Sequence, residues 1–407
     1  MRRPRRRRLR RCSSPDRGLP PGHIGGRSDP VGALTGLFAA EPVLLERWFA
    51  AQGAPPSIDL ARSGAPELST ADILTVAGPE ARDEYLGLPL GYGHPVGEEG
   101  LRAAIERDRS ARHADEVIVT TGATEALLLA AAAALAAGEQ AAVGVPAHGG
   151  VVRALEATGA HILRVPVWRP GSSRLDLSGL FRALQRGASV LALNSPHNPT
   201  GAVADGDELA ALIDACTLYG ARILVDEVAL STLNPHAESV TRCPEFISGT
   251  VVAVGDLSKS LGLGGLRIGW LTCADHELLG RVTQLKDITT LGTSVTSQFL
   301  AALALENRAT LARQIAALAT RNRDALGDWV MQIGGAEYTP PADGLVAFPL
   351  LPMREGAMGF VERLRATAGV SVVPGVLFGV PSRLRLGLGL SPGVFTRGLE
   401  RIAVALG

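Results

Sequence analysis

Lysine is almost absent from this chain. Of its 40 Lys and Arg residues only Lys259 and Lys286 are lysine. An amine is a compact point charge whose pKa falls on burial, and a desolvated lysine can act as a nucleophile where arginine cannot. Cysteine is scarce as well. Cys12, Cys216, Cys243 and Cys273 are widely spaced, in no metal-ligand pattern, and point to a reduced, cytoplasmic setting. No apolar run is long and clean enough to span a bilayer; the alanine-rich Ala126–Ala137 is too short. Net charge is also missing: Lys+Arg and Asp+Glu both number 40. What is present suits a globular chain, with 46% hydrophobic and 20% charged residues over 407 positions, enough for two or more lobes.

The neutral total hides an uneven distribution. The first 30 residues carry ten arginines against two aspartates. No apolar segment follows MRRPRRRRLRR, which excludes a secretory signal. Pro4, Pro15, Pro20, Pro21 and nearby glycines favour disorder over residues 1–34. Three readings of this stretch stay open: an extension without function, a targeting or regulatory tail, and a polyanion-binding arm.

Further on, Gly36–Gln52 has helical spacing (Leu37, Phe38, Val43, Leu44, Leu45, Trp48, Phe49) and reads as the first helix of a small lobe. Ile58–Pro66 is a strand breaking into a turn, and Gly91–Arg102 a glycine-rich loop opening a helix. From Val117 short apolar runs alternate with helical stretches. The seven runs are Val117–Thr121, Ala141–Val145, His161–Val167, Val190–Asn194, Arg222–Val228, Val251–Val254 and Ile268–Thr272. The alternation predicts an α/β fold with a mostly parallel seven-stranded sheet, which binds ligands beyond the carboxyl ends of its strands. Thr121/Gly122, Asn194 and Asp226 fall at such ends. One long helical segment, Ala301–Leu326, then leads to a C-terminal lobe ending in Arg383-Leu-Arg-Leu-Gly-Leu-Gly.

The chain is organised around Val254–Trp270, VGDLSKSLGLGGLRIGW. Lys259 lies between Ser258 and Ser260, and Arg267, a permanent bidentate anion partner, follows eight residues on. This segment resembles the cofactor-lysine segment of fold-type I pyridoxal 5'-phosphate (PLP) enzymes, specifically the class I/II aminotransferases. The other parts of that site occur in order. Gly122-Ala123-Thr124 sits at a strand-to-helix junction, a natural phosphate seat. Asn194-Ser-Pro-His-Asn198-Pro-Thr-Gly resembles the family's asparagine–proline–threonine–glycine turn, and Asp226 ends an apolar strand where a carboxylate needs a partner.

The resemblance implies a role for each. Lys259 would hold PLP as a Schiff base, with Ser258 beside it, and Asp226 would pair with the pyridinium nitrogen. Asn198 would serve both the cofactor's phenolic oxygen and the substrate carboxylate, while Arg267 and the Gly122 turn would hold the phosphate. His148 occupies the place of the ring-stacking aromatic. Ser63 or Gly64 lines the substrate pocket, the register between them being open, and Arg385 takes the substrate α-carboxylate, with Arg383 two residues away on the same strand face. Tyr92 would reach the phosphate of the neighbouring subunit, so a homodimer with shared sites is implied. The implied boundaries are 35–80 and 296–407 for a smaller α+β domain built from both chain ends, and 81–295 for the large PLP-binding domain.

Three positions depart from the pattern: His148 for Tyr or Trp, Ala229 where a tyrosine hydroxyl serves the phenolic oxygen, and Asp256 for a phosphate-binding serine. The Asp-Leu-Ser-Lys form, with Arg62-Ser-Gly, resembles the capreomycidine-synthase branch, whose members cyclise or replace at the β carbon. Two activities follow. One is transfer of an α-amino group through pyridoxamine phosphate to a 2-oxo acid; the other is β/γ-elimination, replacement or cyclisation in specialised amino-acid biosynthesis. A PLP-sensing regulator needs a DNA-binding domain, for which residues 1–34 are too short. Neither a membrane nor a nucleic-acid partner is expected.

Overall fold

Alternating apolar runs and helices fold as their spacing predicts. The computed structural model describes residues 41–109, 113–230, 232–234, 237, 239–242, 246 and 248–407. The arginine-rich residues 1–34, with Leu37, Phe38 and the rest of 35–40, lie outside the described residues. Among the described residues twelve strands occur in chain order: β1 (Ile58–Asp59), β2 (Val117–Thr120), β3 (Gln140–Val145), β4 (His161–Pro166), β5 (Val190–Asn194), β6 (Arg222–Asp226), β7 (Val251–Asp256), β8 (Gly269–Thr272), β9 (Val346–Ala347), β10 (Val370–Ser371), β11 (Val373–Pro374) and β12 (Leu384–Gly387).

Seven of them form one sheet in the order β2-β8-β7-β6-β5-β3-β4. Only β8 runs against its neighbours, β2 and β7; the remaining pairs are parallel. Helices cover both faces, which is why these strands read as continuous apolar runs. The two-residue period sorts each strand between two cores. Leu224 of β6 packs with Leu127, Leu155 and Leu278 on one side, while Ile223 and Val225 pack with Leu180, Leu212 and Phe246 on the other.

Beyond this sheet the two ends of the described chain meet. β1 pairs in parallel with β10, Ile58 opposite Val370. β11, β12 and β9 form a separate antiparallel sheet. The helix expected over Gly36–Gln52 is seen as Leu44–Ala50, with Leu45 buried against Phe348, Val373 and Phe378. The single long helix expected over Ala301–Leu326 is instead two, Val295–Glu306 and Arg308–Val330. Asn307 breaks it, capping one helix and starting the next while its side chain donates to the Leu303 carbonyl (2.9 Å). Apolar spacing runs through that break, so periodicity alone cannot show it. No helix among the described residues is long and apolar enough to cross a membrane.

Candidate functional site

At the carboxyl ends of β5, β6 and β7 lies a cavity of about 1070 Å³. Its wall includes Ser63, Gly64, Ala123, Thr124, His148, Asn198, Asp226, Ser258, Lys259, Arg267 and Arg385. Residues scattered over more than 300 positions of sequence are thus brought to one place. Two expected residues do not line it. Gly122 lies just behind, and Tyr92 projects into solvent, 97% exposed.

Lys259 follows β7 on a tight turn and is partly buried. Desolvation, the largest influence, lowers its pKa below that of an ordinary lysine, against the opposing pull of Asp256. Asp256 accepts the backbone N–H of Ser258 (2.9 Å) and its hydroxyl (2.6 Å). The carboxylate standing where the family carries a serine is therefore satisfied locally, and the Ser258 hydroxyl proton is committed to it.

Residues 60–66 form a strap between this turn and β12. The Gly387 N–H donates to Leu60 O (2.7 Å), Arg385 Nη2 to Ala61 O (2.8 Å), and the Ala65 N–H to Lys259 O (2.9 Å). A Cβ on Gly64 would stand 3.0 Å from the Ser258 carbonyl oxygen. Gly64 therefore lets the strap press against the lysine turn.

A chain of hydrogen bonds crosses the floor of the cavity. Asn194 Nδ2 donates to the Asp226 carbonyl (3.0 Å), and Asn194 Oδ1 accepts the Asn198 N–H (2.5 Å). Asn198 Oδ1 in turn accepts from Arg385 Nη1 (3.0 Å). Arg385 is 1% exposed, its guanidinium 5.4 Å from the Phe378 ring centre, and its Nε has no partner. Burial lowers its pKa to about 10, which still leaves it cationic at neutral pH. Arg383 is engaged elsewhere: it pairs with Glu337 (2.6 Å) and donates to Phe348 O (3.0 Å). The Asp226 carboxylate receives one N–H, from Val228 (3.1 Å), and burial raises its pKa to about 6.

Behind the cavity, Gly122 adopts φ +81°, and a Cβ there would stand 2.2 Å from Arg267 Nη2. Only glycine allows that approach. Arg267 itself takes φ +53°, a rare left-handed conformation for a side chain of this size, and its Nη2 donates to Thr121 O (3.4 Å). The helix Ala123–Ala134 starts here with no side-chain cap, leaving its first N–H groups without a side-chain acceptor.

Sequence reasoning missed three residues. Asn194 was noted as a strand end but not as the link between Asp226 and Asn198. Glu46, from the first helix, reaches His148 (Oε1 to Nε2, 3.6 Å), whose Nδ1 accepts the Gly150 N–H (3.3 Å). The neighbouring His148 imidazole, first among several influences, holds the Glu46 carboxyl below its usual range. The third, His197, is fully enclosed and spans two loops, with Nε2 2.6 Å from Pro146 O and Nδ1 2.7 Å from Thr200 Oγ1. A carbonyl can only accept, so Nε2 carries the proton and Nδ1 accepts from the threonine. Its place between Pro196 and Asn198 was the available signal.

Burial pushes the His197 pKa down to about 4 from 6.5. Below pH 6.5 the unfolded chain takes up a proton that the native chain refuses, so stability is lost as pH falls from 6.5 towards 4. The loss attributable to this group is about 3 kcal/mol. His197→Gln should be less stable than wild type at pH 7, because two buried hydrogen bonds are disturbed, but the gap should narrow at pH 4.5. Urea unfolding of both proteins at the two pH values checks this; a constant gap overturns it.

A sequence profile of the family "Aminotransferase class I and II" matches residues 68–402. Capreomycidine synthase of Streptomyces vinaceus is 30% identical over 383 residues, 93% of this chain and 96% of that protein. Valine–pyruvate aminotransferase of Mycobacterium tuberculosis is 29% identical over 298 residues, covering 71% of this chain and 76% of its own length. Among solved structures, the PLP-dependent cyclase OrfR superposes with a TM-score of 0.80 at 27% identity, covering 95% of this chain and 99% of its own. A PLP-dependent aminotransferase from Streptococcus suis, 23% identical, shares the fold with a TM-score of 0.84 over 90% of this chain and 98% of its own. This chain belongs to the class I and II aminotransferases, PLP-dependent enzymes of fold type I.

Proposed function

We propose that the protein is a PLP-dependent aminotransferase that moves the α-amino group of an amino acid to a 2-oxo acid. The observation that carries this reading is the convergence on one cavity of Lys259, the buried Asp226 carboxylate and the partly unpartnered Arg385. The residues fit PLP. Asp226 is a buried carboxylate with a single donor, suited to a protonated ring nitrogen, and the Gly122 turn with Arg267 is a cationic cradle at a helix start suited to a phosphate.

When bound, PLP supplies an aldehyde that condenses with amines and a ring that draws off electrons released at the substrate's Cα. The chain's own residues do the rest. Arg385, on the cavity wall, holds the substrate carboxylate through its guanidinium, which Asn198, pinned by Asn194, orients. Lys259, its amine favoured by desolvation, takes the Cα proton and carries it.

A second reading is elimination, replacement or cyclisation at the β or γ carbon. Its support is the resemblance to a synthase and a cyclase over nearly their full lengths, together with Ala229 on the cavity wall, where the family carries a tyrosine. Incubating the purified holoenzyme with a panel of amino acids, without any acceptor, separates the two. Transamination gives at most one 2-oxo acid per site and no ammonia. Repeated turnover with ammonia marks elimination, and an altered amino acid that keeps its nitrogen marks replacement or cyclisation.

The protein is further read as a homodimer with shared sites. Leu86, Leu90 and Tyr92 are exposed, as are Ile288 and Leu291, and the second turn adjoins the first: a Cβ on Gly292 would stand 3.5 Å from Gly93 O. So much apolar surface on two touching loops suits a second copy. Tyr92→Phe should weaken PLP retention without unfolding the chain. Mixing Tyr92→Phe chains with Lys259→Ala chains should restore retention, because the intact lysine then meets the partner's normal tyrosine. A mixed dimer no better than the Tyr92→Phe parent places the tyrosine outside the shared site.

A further inference from the structure

The second lysine has no part in the reaction described above, yet it is among the most enclosed side chains of the protein. Lys286, 1% exposed, lies in the last turn of the helix His276–Asp287. Its Nζ donates to Thr290 Oγ1 (3.0 Å), and the Thr290 hydroxyl donates to Glu125 Oε1 (2.6 Å). The other oxygen of Glu125 accepts the Thr121 N–H, and the Thr121 carbonyl accepts from Arg267 Nη2 (3.4 Å). An unbroken line of hydrogen bonds therefore runs from Lys286 to the turn on which the helix Ala123–Ala134 begins.

Glu125 stands in the first turn of that helix. A carboxylate there suits the helix dipole, but it has the wrong sign for a neighbour of any anion seated at the helix start. Lys286 cancels that charge. The threonine between them, donor to one group and acceptor for the other, fixes which carboxylate oxygen is left for Thr121. A single enclosed hydroxyl suits the compact ammonium rather than a guanidinium with five donors to satisfy.

We propose that Lys286, acting through Thr290 and Glu125, is a positioning residue that neutralises and shapes the phosphate seat at the Thr121–Thr124 turn. The proposal rests on the reading of that turn as the seat of the PLP phosphate.

Two isosteric variants test it, Lys286→Met and Thr290→Val, each compared for binding of PLP and of pyridoxal, which lacks the phosphate. Affinity for PLP should fall about tenfold while that for pyridoxal stays unchanged. In the cofactor-free protein, the rise in melting temperature produced by inorganic phosphate should shrink in both variants. Adding Glu125→Gln to Lys286→Met should recover much of the phosphate response, because the uncompensated charge is gone; this double variant also serves if Lys286→Met alone fails to fold. Equal losses for PLP and pyridoxal, or an unchanged phosphate response, overturn the proposal and leave Lys286 a structural residue. A wild-type protein that binds neither PLP nor pyridoxal overturns the reading of the site instead, and the inorganic-phosphate arm still decides the role of Lys286.

Discussion

Lys259→Ala should lower turnover by about four orders of magnitude or more, with little change in the folded state. Removing a positioned acid–base group alone costs up to about 10⁴-fold, and under the proposed function the same amine also anchors the cofactor. The side chain projects into the cavity rather than a core cluster, so its removal leaves no buried void. Lys259→Arg should not rescue, since a guanidinium is never deprotonated at working pH. The covalent assignment is checked without activity. Borohydride reduction of the holoenzyme should fix cofactor mass on the peptide containing Lys259; label on the Lys286 peptide instead would sink the assignment.

Asp226→Asn should produce the second largest loss, in turnover far more than in cofactor retention. A carboxylate about 4 Å from a protonated ring nitrogen, at an effective dielectric near 20, is worth about 4 kcal/mol, or roughly three decades of protonation. An amide cannot supply that. The same substitution should have the opposite effect on the stability of the cofactor-free protein. Burial raises the Asp226 pKa to about 6 from 3.8. The native state therefore keeps a proton that the unfolded state loses, and stability falls as pH rises between about 4 and about 6. Above that window the buried charge costs about 3 kcal/mol. Asp226→Asn, which cannot ionise, should be more stable than wild type by about that amount at pH 8 and scarcely different at pH 4, both without PLP. Thermal melts at the two pH values decide; a variant less stable than wild type at pH 8 overturns the assignment of Asp226 as an uncompensated buried acid.

Much of the fold, and much of the cavity's lining, is legible in the sequence. The seven strands were visible because a sheet buried on both faces is written as continuous apolar runs, and chemistry gathers where those runs end. Lys259 stood out by scarcity, Asp226 by a charge at the tip of an apolar strand, and Asn198 by its proline-flanked turn. Arg385 could be separated from Arg383 only by family pattern. In the structure Arg385 lines the cavity, whereas Arg383 is held by Glu337 and faces Trp168, 5.3 Å from its ring centre. What stayed hidden depends on contacts distant in sequence. Glu46 meets His148 across a hundred residues, and His197 bridges to the Pro146 carbonyl. No local spacing encodes either. The break at Asn307 was invisible for the opposite reason, because the periodicity there is good on both sides of the interruption.

The strap of residues 60–66 bears on how this protein could acquire new substrates. One short segment touches the lysine turn through Ala65, Arg385 through Ala61 and the strand that carries Arg385 through Leu60. On the strap's side all three contacts use backbone atoms. Any insertion or backbone shift in the strap therefore moves Lys259 and Arg385 together, and under the proposed roles variants that reshape it should lose reactivity along with selectivity. Side chains that border the cavity without entering those contacts, such as Glu46 and Ala229, carry no such penalty. Divergence in substrate range, natural or directed, is expected to accumulate at those walls, with the strap left nearly fixed in length and course.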